Sequence, residues 1–222
     1  MKRFLTLILV FVFFISYAQN LTHKFEHIGI KEGLSQVCVN AILQDKNGYI
    51  WIATQDGLNK YDGYTFTYYK PNAANNNTLR NNVIKTIFED FDGNIWIGTA
   101  GGGLSCFNPA TEIFTHYLND PFNKSSLSNN DVYAIFQDKD STLWIGTYGG
   151  GLNKFIYSKQ IFESYQYSDI DTNSLSGNTI RAICEDNEGN LWIGVDEGGL
   201  NKFDKEKRHS NGFYTILIIP IP

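Results

Sequence analysis

Short stretches in which apolar and polar residues alternate recur along the chain. One covers residues 132–138, and after a turn of a few residues a second stretch carries a tryptophan at its second position. Period-two alternation bounded by turn residues is typical of half-buried β-strands. The turns include Asn47-Gly48 and Asp92-Gly93, and such dipeptides supply the positive φ that a two-stranded hairpin requires. The pattern therefore predicts a series of β-hairpins.

These predicted hairpins recur at a nearly constant interval. The tryptophans are separated by 45, 48 and 48 residues, and a leucine and an aspartate keep the same spacing. The three series are Trp51, Trp96, Trp144 and Trp192; Leu34, Leu79, Leu127 and Leu175; and Asp45, Asp90, Asp138 and Asp186. No segment sustains an apolar stripe at helical spacing, which excludes a solenoid of helix pairs. A parallel β-helix is the nearest alternative, but its repeat is shorter and lacks hairpin turns.

Each repeat is long enough for four antiparallel strands. A glycine-rich turn follows the tryptophan strand and leads to a third strand, and an aromatic-rich fourth strand closes the unit. Four antiparallel strands in about 45 residues form one blade of a β-propeller, so the sequence predicts an all-β fold of about four blades. The glycine runs at 101–103, 149–151 and 198–199 join two strands and do not lead into a helix. This arrangement favours turns over phosphate-binding loops.

The tryptophan strand itself contains a glycine in three repeats, at Gly98, Gly146 and Gly194. Glycine weakens a strand unless another part of the protein approaches closely. We therefore expect crowding there, near a central axis or against the adjacent blade. The identical position of the tryptophans in every repeat favours packing between blades over stacking on sugars. The repeated aspartates are expected to accept backbone hydrogen bonds within their turns.

The composition agrees with an all-β chain and restricts its partners. Of the 222 residues, 42% are hydrophobic, 15% aromatic and only 18% charged, and 20 are glycine. Many aromatics and glycines with few charges are typical of short strands joined by tight turns. The formal net charge is −5, and no long run of lysine or arginine occurs. Nucleic acids and anionic membranes require basic patches, so neither is expected as a partner.

The N-terminal residues resemble a signal peptide. Lys2 and Arg3 precede an apolar run, and Ser16-Tyr17-Ala18 places small residues where a signal peptidase reads them. We expect residues 1–18 to be removed and the mature protein to be periplasmic or secreted, without membrane insertion. An uncleaved anchor is the alternative, but the apolar run is shorter than a membrane span of about 20 residues.

The leucine series sets the repeat boundaries at 34–78, 79–126, 127–174 and 175–222. Residues 19–33 are expected to provide an outer strand, because residues 24–28 resemble a fourth strand that would pair with the last blade of a closed ring. The last repeat loses its pattern after Asp204 and ends in an isoleucine-rich tail. We therefore expect a truncated chain and an incomplete propeller, whose unpaired edges favour self-association or the docking of missing blades.

The sequence predicts no catalytic, metal or cofactor site. Cys38, Cys106 and Cys184 match no zinc motif and are expected to be small buried residues within strands, without a disulfide framework. The turns at 90–94 and 186–190 faintly resemble calcium loops but lack six spaced ligands and a glutamate at the twelfth position. We therefore expect a non-enzymatic protein without metal or other cofactor. A propeller lyase or glycosidase is a lesser alternative, because one sequence does not exclude a carboxylate pair.

Ligand contacts are expected where the repeats differ on their common frame. The turn after the tryptophan strand is such a place, because recognition residues concentrate at loop tips above a rigid scaffold. The candidate ligand-binding residues there are Asp56, Tyr148, Asp196 and Glu197. Solvated turns without a ligand are the simpler interpretation.

The complete motif resembles that of a known family. A Leu-Ser-x-Asn opener, a strand ending in aspartate, a glycine turn, Trp-Ile-Gly-Thr and a glycine run together resemble the two-component regulator propeller repeat, from Leu34 to about Phe203. The resemblance implies the periplasmic sensor region of a Bacteroidetes hybrid two-component system, whose ligands are mostly oligosaccharides. Two hypotheses follow. The chain is a ligand-sensing propeller segment of such a regulator, here a fragment without kinase, or it is a free-standing secreted interaction module without catalytic activity.

Overall fold

The computed structural model describes residues 25–205 and the backbone of residues 209–214. Within these residues four antiparallel sheets occur, each made of four strands that are consecutive in sequence. The strands of the first two sheets are β1 Val39–Gln44, β2 Ile50–Thr54, β3 Gly57–Tyr61, β4 Phe66–Tyr69, β5 Ile84–Glu89, β6 Ile95–Thr99, β7 Leu104–Asn108 and β8 Ile113–Tyr117. Those of the last two are β9 Val132–Gln137, β10 Leu143–Thr147, β11 Leu152–Ile156, β12 Ile161–Tyr165, β13 Ile180–Glu185, β14 Leu191–Val195, β15 Gly199–Asp204 and β16 His209–Tyr214. Each repeat is one propeller blade, as predicted.

The repeated aspartate and tryptophan fix each hairpin through one carboxylate. In the first blade Asp45 Oδ1 accepts hydrogen bonds from the backbone N–H groups of Asn47 and Tyr49, at 3.0 and 2.9 Å. Its Oδ2 accepts the indole N–H of Trp51 at 2.8 Å. The same indole bond spans 2.7 Å in Trp96–Asp90, 2.9 Å in Trp144–Asp138 and 2.9 Å in Trp192–Asp186. Buried carboxylates and indoles require such partners, so the pair closes the turn and orients the ring together.

The blades stack side by side, with their first strands in contact. Strands β1, β5, β9 and β13 lie next to one another in this order and form the inner edge of the array. Each of the first three tryptophans packs against an aromatic ring on the third strand of the following blade. The ring centroids are 5.8 Å apart in Trp51–Phe107, 5.4 Å in Trp96–Phe155 and 5.7 Å in Trp144–Phe203. Three hydrophobic clusters therefore fill the three seams between blades.

The strand glycine marks a close approach of the next blade. A Cβ atom at Gly98 would lie 2.6 Å from Val132 on the following inner strand and 2.6 Å from Thr86 in its own blade. At Gly146 it would lie 2.6 Å from Ile180. The expected crowding is therefore confirmed at Gly98 and Gly146, where the adjacent blade contributes to it, whereas a Cβ atom at Gly194 would lie 3.6 Å from Ala182, an ordinary contact.

The N-terminal outer strand is not formed in the described residues. Residues 25–29 have no strand structure, and a 3₁₀-helix covers Ile30–Glu32. The edge of the last blade that such a strand would need is occupied, because β15 pairs with β16. The predicted signal peptide at residues 1–18, residues 19–24 and the tail at 215–222 lie outside the described residues. Among residues 25–205 and 209–214, no helix is long and apolar enough to cross a membrane.

The expected burial of the cysteines is wrong for two of them. All three are free thiols, but Cys38 and Cys184 are exposed and only Cys106 is half-buried. Cys38 precedes β1 and Cys184 lies on an uncovered face of the last blade, so neither enters a seam between blades. Burial raises the pKa of the Cys106 thiol to about 12, with a smaller contribution from the charge of Asp90.

Candidate functional site

Every inner strand contains one bulged residue. In the first blade Val39 pairs with Thr54 and Ala41 pairs with Ala53, so Asn40 is the extra residue between them. The same register shift occurs in the other three inner strands. The four bulged residues, which we call the inner-strand row, are Asn40, Lys85, Tyr133 and Arg181. A bulge re-aims a side chain and is frequent beside binding sites.

The row brings together side chains from consecutive blades. The Lys85 ammonium lies 5.4 Å from the centroid of the Tyr133 ring, and the Arg181 guanidinium carbon lies 4.7 Å from it. Asn40 donates a hydrogen bond from Nδ2 to the carbonyl of Ile84 at 2.6 Å. Tyr133 and Lys85 are half-buried, whereas Asn40 and Arg181 are exposed. One position of the repeat thus presents an amide, an ammonium, a phenol and a guanidinium along one edge.

Two of the predicted ligand-binding residues extend this row. The Tyr148 ring lies 5.8 Å from the Tyr133 ring and 5.8 Å from the Arg181 guanidinium carbon. Asp196 Oδ2 accepts hydrogen bonds from Arg181 Nε at 3.1 Å and Nη2 at 2.5 Å. The hydrogen bond with Asp196 raises the pKa of the Arg181 guanidinium above its ordinary value. The cluster therefore combines two aromatic faces with a fixed ion pair.

The other two predicted residues are placed differently. Asp56 lies in the first blade, where its carboxylate pairs with the Lys70 ammonium at 2.6 Å. Glu197 is exposed at the tip of its turn with φ of 58°, at the position where the preceding repeat has Gly149. The structure thus groups Tyr148 with Asp196, whereas Asp56 is engaged with Lys70.

Sequence reasoning missed Lys85, Tyr133 and Arg181. Each lies inside an inner strand, whereas the repeat pattern predicts ligand contacts in the turns after the tryptophan strands. A signal was present, because apolar residues three apart, such as Ile84 and Ile87, occur in all four inner strands. In a regular strand residues three apart point to opposite faces, so this spacing indicates a bulge between them.

The tryptophans and the repeated aspartates belong to the scaffold. Trp51, Trp96 and Trp144 are at most 2% exposed, so a ligand cannot stack on them. Asp138 lies with Asp140 and Glu185 in a carboxylate cluster whose oxygens are within 4.8 Å of one another.

An ammonium group fills this cluster. Lys205 Nζ lies 3.0, 2.8 and 2.7 Å from the oxygens of Asp138, Asp140 and Glu185. Desolvation opposes the charge on Lys205, but its hydrogen bonds to the three carboxylates raise its pKa above the ordinary value. The ammonium therefore supplies the positive charge that the carboxylates require, and the cluster holds two blades together.

The four repeats also match a known protein family. Residues 33–56, 78–101, 126–149 and 174–197 match the two component regulator propeller repeat. The structure is similar to the extracellular domain of a protein described as a hybrid two component system from Bacteroides thetaiotaomicron, with 30% identity, a TM-score of 0.77 and coverage of 86% of this chain and 26% of that one. A second extracellular domain from that organism, described as a one component system, has 26% identity, a TM-score of 0.72 and coverage of 86% and 27%.

A sequence relative agrees with this similarity. The chain is 44% identical over 62 residues to "Histidine kinase P4" of Formosa agariphila, which covers 28% of this chain and 4% of that protein. The chain spans about a quarter of the two solved domains and a small part of this kinase. By its four repeats, the chain belongs to the two-component regulator propeller family.

Proposed function

We propose that the chain is the ligand-sensing propeller segment of a two-component signalling regulator and that the inner-strand row binds an oligosaccharide. The observation that carries the proposal is the contact of Lys85, Tyr133 and Arg181, one variable residue from each of three consecutive blades. The family of the repeat supports the sensor role. The extracellular domains among the similar structures support a periplasmic or secreted location.

The chemistry of the row suits a sugar. A sugar ring presents apolar C–H faces and a rim of hydroxyl groups. The Tyr133 and Tyr148 rings offer surfaces for the C–H faces, while charged groups form the stronger class of hydrogen bonds with hydroxyls. Here those groups are the Lys85 ammonium and the Arg181–Asp196 pair, which lie beside the rings.

We propose binding without catalysis at this place. Asp196, the carboxylate beside the inner-strand row, accepts two hydrogen bonds from Arg181. This pairing fixes the position of the carboxylate, which suits the orientation of a ligand.

The test is isothermal titration of the chain with a panel of neutral and acidic oligosaccharides. We expect Tyr133→Ala to weaken binding of a recognised sugar about tenfold, which corresponds to the loss of about 1.4 kcal/mol. Tyr64→Ala is the matched control, because Tyr64 is 92% exposed and lies outside the row. Equal effects of the two substitutions, or no binding by any sugar in the panel, would contradict the proposal.

A further inference from the structure

The seams between blades repeat one set of contacts. We call the side of a blade that packs on the preceding repeat its leading face, and the opposite side its trailing face. At the first seam, Ile84 and Phe107 of the second blade cover Trp51 and Ala53 of the first, and all four are at most 1% exposed. The second and third seams are built in the same way. Each blade therefore carries two complementary halves of one interface.

The leading face of the first blade is uncovered within the described residues. Val39 and Ile42 are 38% and 67% exposed, whereas Ile84 and Ile87 at the same positions of the next blade are 0% and 8% exposed. Tyr61 occupies the position of Phe107, and its ring centroid lies 4.6 Å from that of Phe66, the same distance as between Phe107 and Phe114 in the second blade. This face thus has the apolar residues of a seam without the preceding blade.

Among residues 25–205, the trailing face of the last blade is uncovered as well. Ala182 and Cys184 on its inner strand are exposed, and Trp192 is half-buried where the other three tryptophans are buried. A Cβ atom at Gly194 would meet only Ala182, at 3.6 Å, so the space that the next blade fills beside Gly98 is open here. The two uncovered faces are the two different halves of the repeated seam.

One polar contact recurs across the seams. At each seam the residue after the repeated aspartate donates its backbone N–H to the last side chain of the following inner strand. The pairs are Lys46 with Glu89 at 3.0 Å, Phe91 with Gln137 at 2.8 Å and Lys139 with Glu185 at 3.1 Å. In each pair the donor is a backbone N–H group and the acceptor is a carboxylate or amide oxygen. On the two uncovered faces, the residues at these positions are Asn187 on the last blade and Gln44 on the first blade, and both are neutral.

We propose that the trailing face of the last blade binds the leading face of the first blade of a second copy of this chain. In this contact Val39 lies against Gly194 as Val132 lies against Gly98, and Gln44 accepts the backbone N–H of Asn187. The first blade of the same copy does not cover the face, because both faces are exposed at opposite ends of the array. The contact is head-to-tail, and such contacts close into a ring when the rotation between copies permits.

Two variants each block one face. Ile42→Asp places a charge on the leading face where the equivalent Ile87 is 8% exposed. Gly194→Val fills the space on the trailing face, and its Cβ meets only Ala182 in the free chain, so folding is expected to be preserved. The matched controls are Ile113→Asp, at a position 54% exposed on β8, and Gly194→Ala, because Ala53 occupies this position in the first blade.

Sedimentation velocity on the full chain tests the proposal, with circular dichroism to verify folding of each variant. We expect the wild type and both controls to have roughly twice the monomer mass or more, and each blocked variant to be monomeric. A mixture of Ile42→Asp and Gly194→Val should form a 1:1 complex, because each variant keeps the face that the other lacks. A monomeric wild type, whose own blades close on each other, would overturn the proposal. If either blocked variant associates by itself, another surface must form the contact, and the proposal is overturned. A mixture of the two variants that forms no complex would overturn it as well.

Discussion

The glycine of the tryptophan strand gives a prediction that depends on one interatomic contact. In Gly98→Ala the new Cβ would lie 2.6 Å from Thr86 Cγ2 and 2.6 Å from Val132 Cγ1. Favourable contacts between carbon atoms lie at about 3.5–4.0 Å. Both neighbours are β-branched and stiff at χ1, so relief requires a movement of the backbone of one blade relative to the next.

The expected cost follows from two opposing effects. Overpacking a well-packed core costs about 1–3 kcal/mol, while alanine is favoured over glycine in a strand by roughly 0.5–1 kcal/mol. Gly98→Ala should therefore destabilise the protein by about 1–2 kcal/mol. In the matched control Gly194→Ala the new Cβ meets Ala182 at 3.6 Å, an ordinary contact, and stability should be unchanged or slightly raised.

A second substitution tests the cause. The first blade carries Ala53 at the glycine position and Ala41 at the position of Thr86, and it packs a full seam with this pair. Thr86→Ala combined with Gly98→Ala reproduces the same pair in the second blade. We therefore expect the double variant to regain the part of the stability that the contact with Thr86 costs, while the contact with Val132 remains.

Urea unfolding followed by tryptophan fluorescence measures all four proteins. With a slope of about 1–3 kcal/mol/M, the midpoint of Gly98→Ala should fall by roughly 0.5–1 M. The reasoning is refuted if Gly98→Ala unfolds at the wild-type midpoint, or if Gly194→Ala is destabilised to the same extent. In either case crowding by Thr86 and Val132 would not be the reason for glycine at this position.

Three further predictions concern buried polar groups. Trp96→Phe removes the indole donor to Asp90, so the buried carboxylate loses a partner. The free energy of unfolding in urea should fall by about 1–3 kcal/mol, and an unchanged midpoint would contradict this. Lys205→Ala leaves Glu185 and its neighbouring carboxylates without an ammonium and should therefore lower the melting temperature. Added Ca²⁺ should restore part of this loss in the variant but should not raise the melting temperature of the wild type. Desolvation lowers the pKa of His116 in the folded state. As the pH falls through about 6.5, the unfolded state therefore binds more protons than the folded state, and stability that is present above this pH is lost below it. The melting temperature should fall over this range in the wild type and less in His116→Asn, and equal profiles would exclude this histidine as the cause.

Much of the fold could be predicted from the sequence because its determinants are local. The carboxylate of Asp45 and the indole of Trp51 are six residues apart and close one hairpin, and each repeat contains the same pair. Turn glycines and period-two alternation then define the four strands of each blade. The crowding at Gly98 was also predictable, although only the structure identifies Val132 of the next blade as its cause.

Features that depend on partners outside the local sequence were not predictable. Whether residues 19–33 form a strand depends on which segment occupies the edge of β15, and β16 occupies it. Cys184 looks like a buried strand residue, but its exposure depends on whether another blade covers it. Two predicted ligand-binding residues, Tyr148 and Asp196, lie beside the candidate site, and their role stays a prediction. The centre of this site at Tyr133 was missed because a bulge changes the face to which a strand residue points.

Hydrogen–deuterium exchange with and without a bound oligosaccharide tests the central claim most directly. If the inner-strand row binds the ligand, protection should increase at residues 84–86, 132–134, 147–149 and 180–182, on three consecutive blades, and at the same ligand concentration it should be clearly smaller in Tyr133→Ala. Tyr64→Ala should leave the protection unchanged. Protection confined to the turn around Asp56 or to the outer strands would contradict the account, because the ligand would then bind where these variable side chains do not meet.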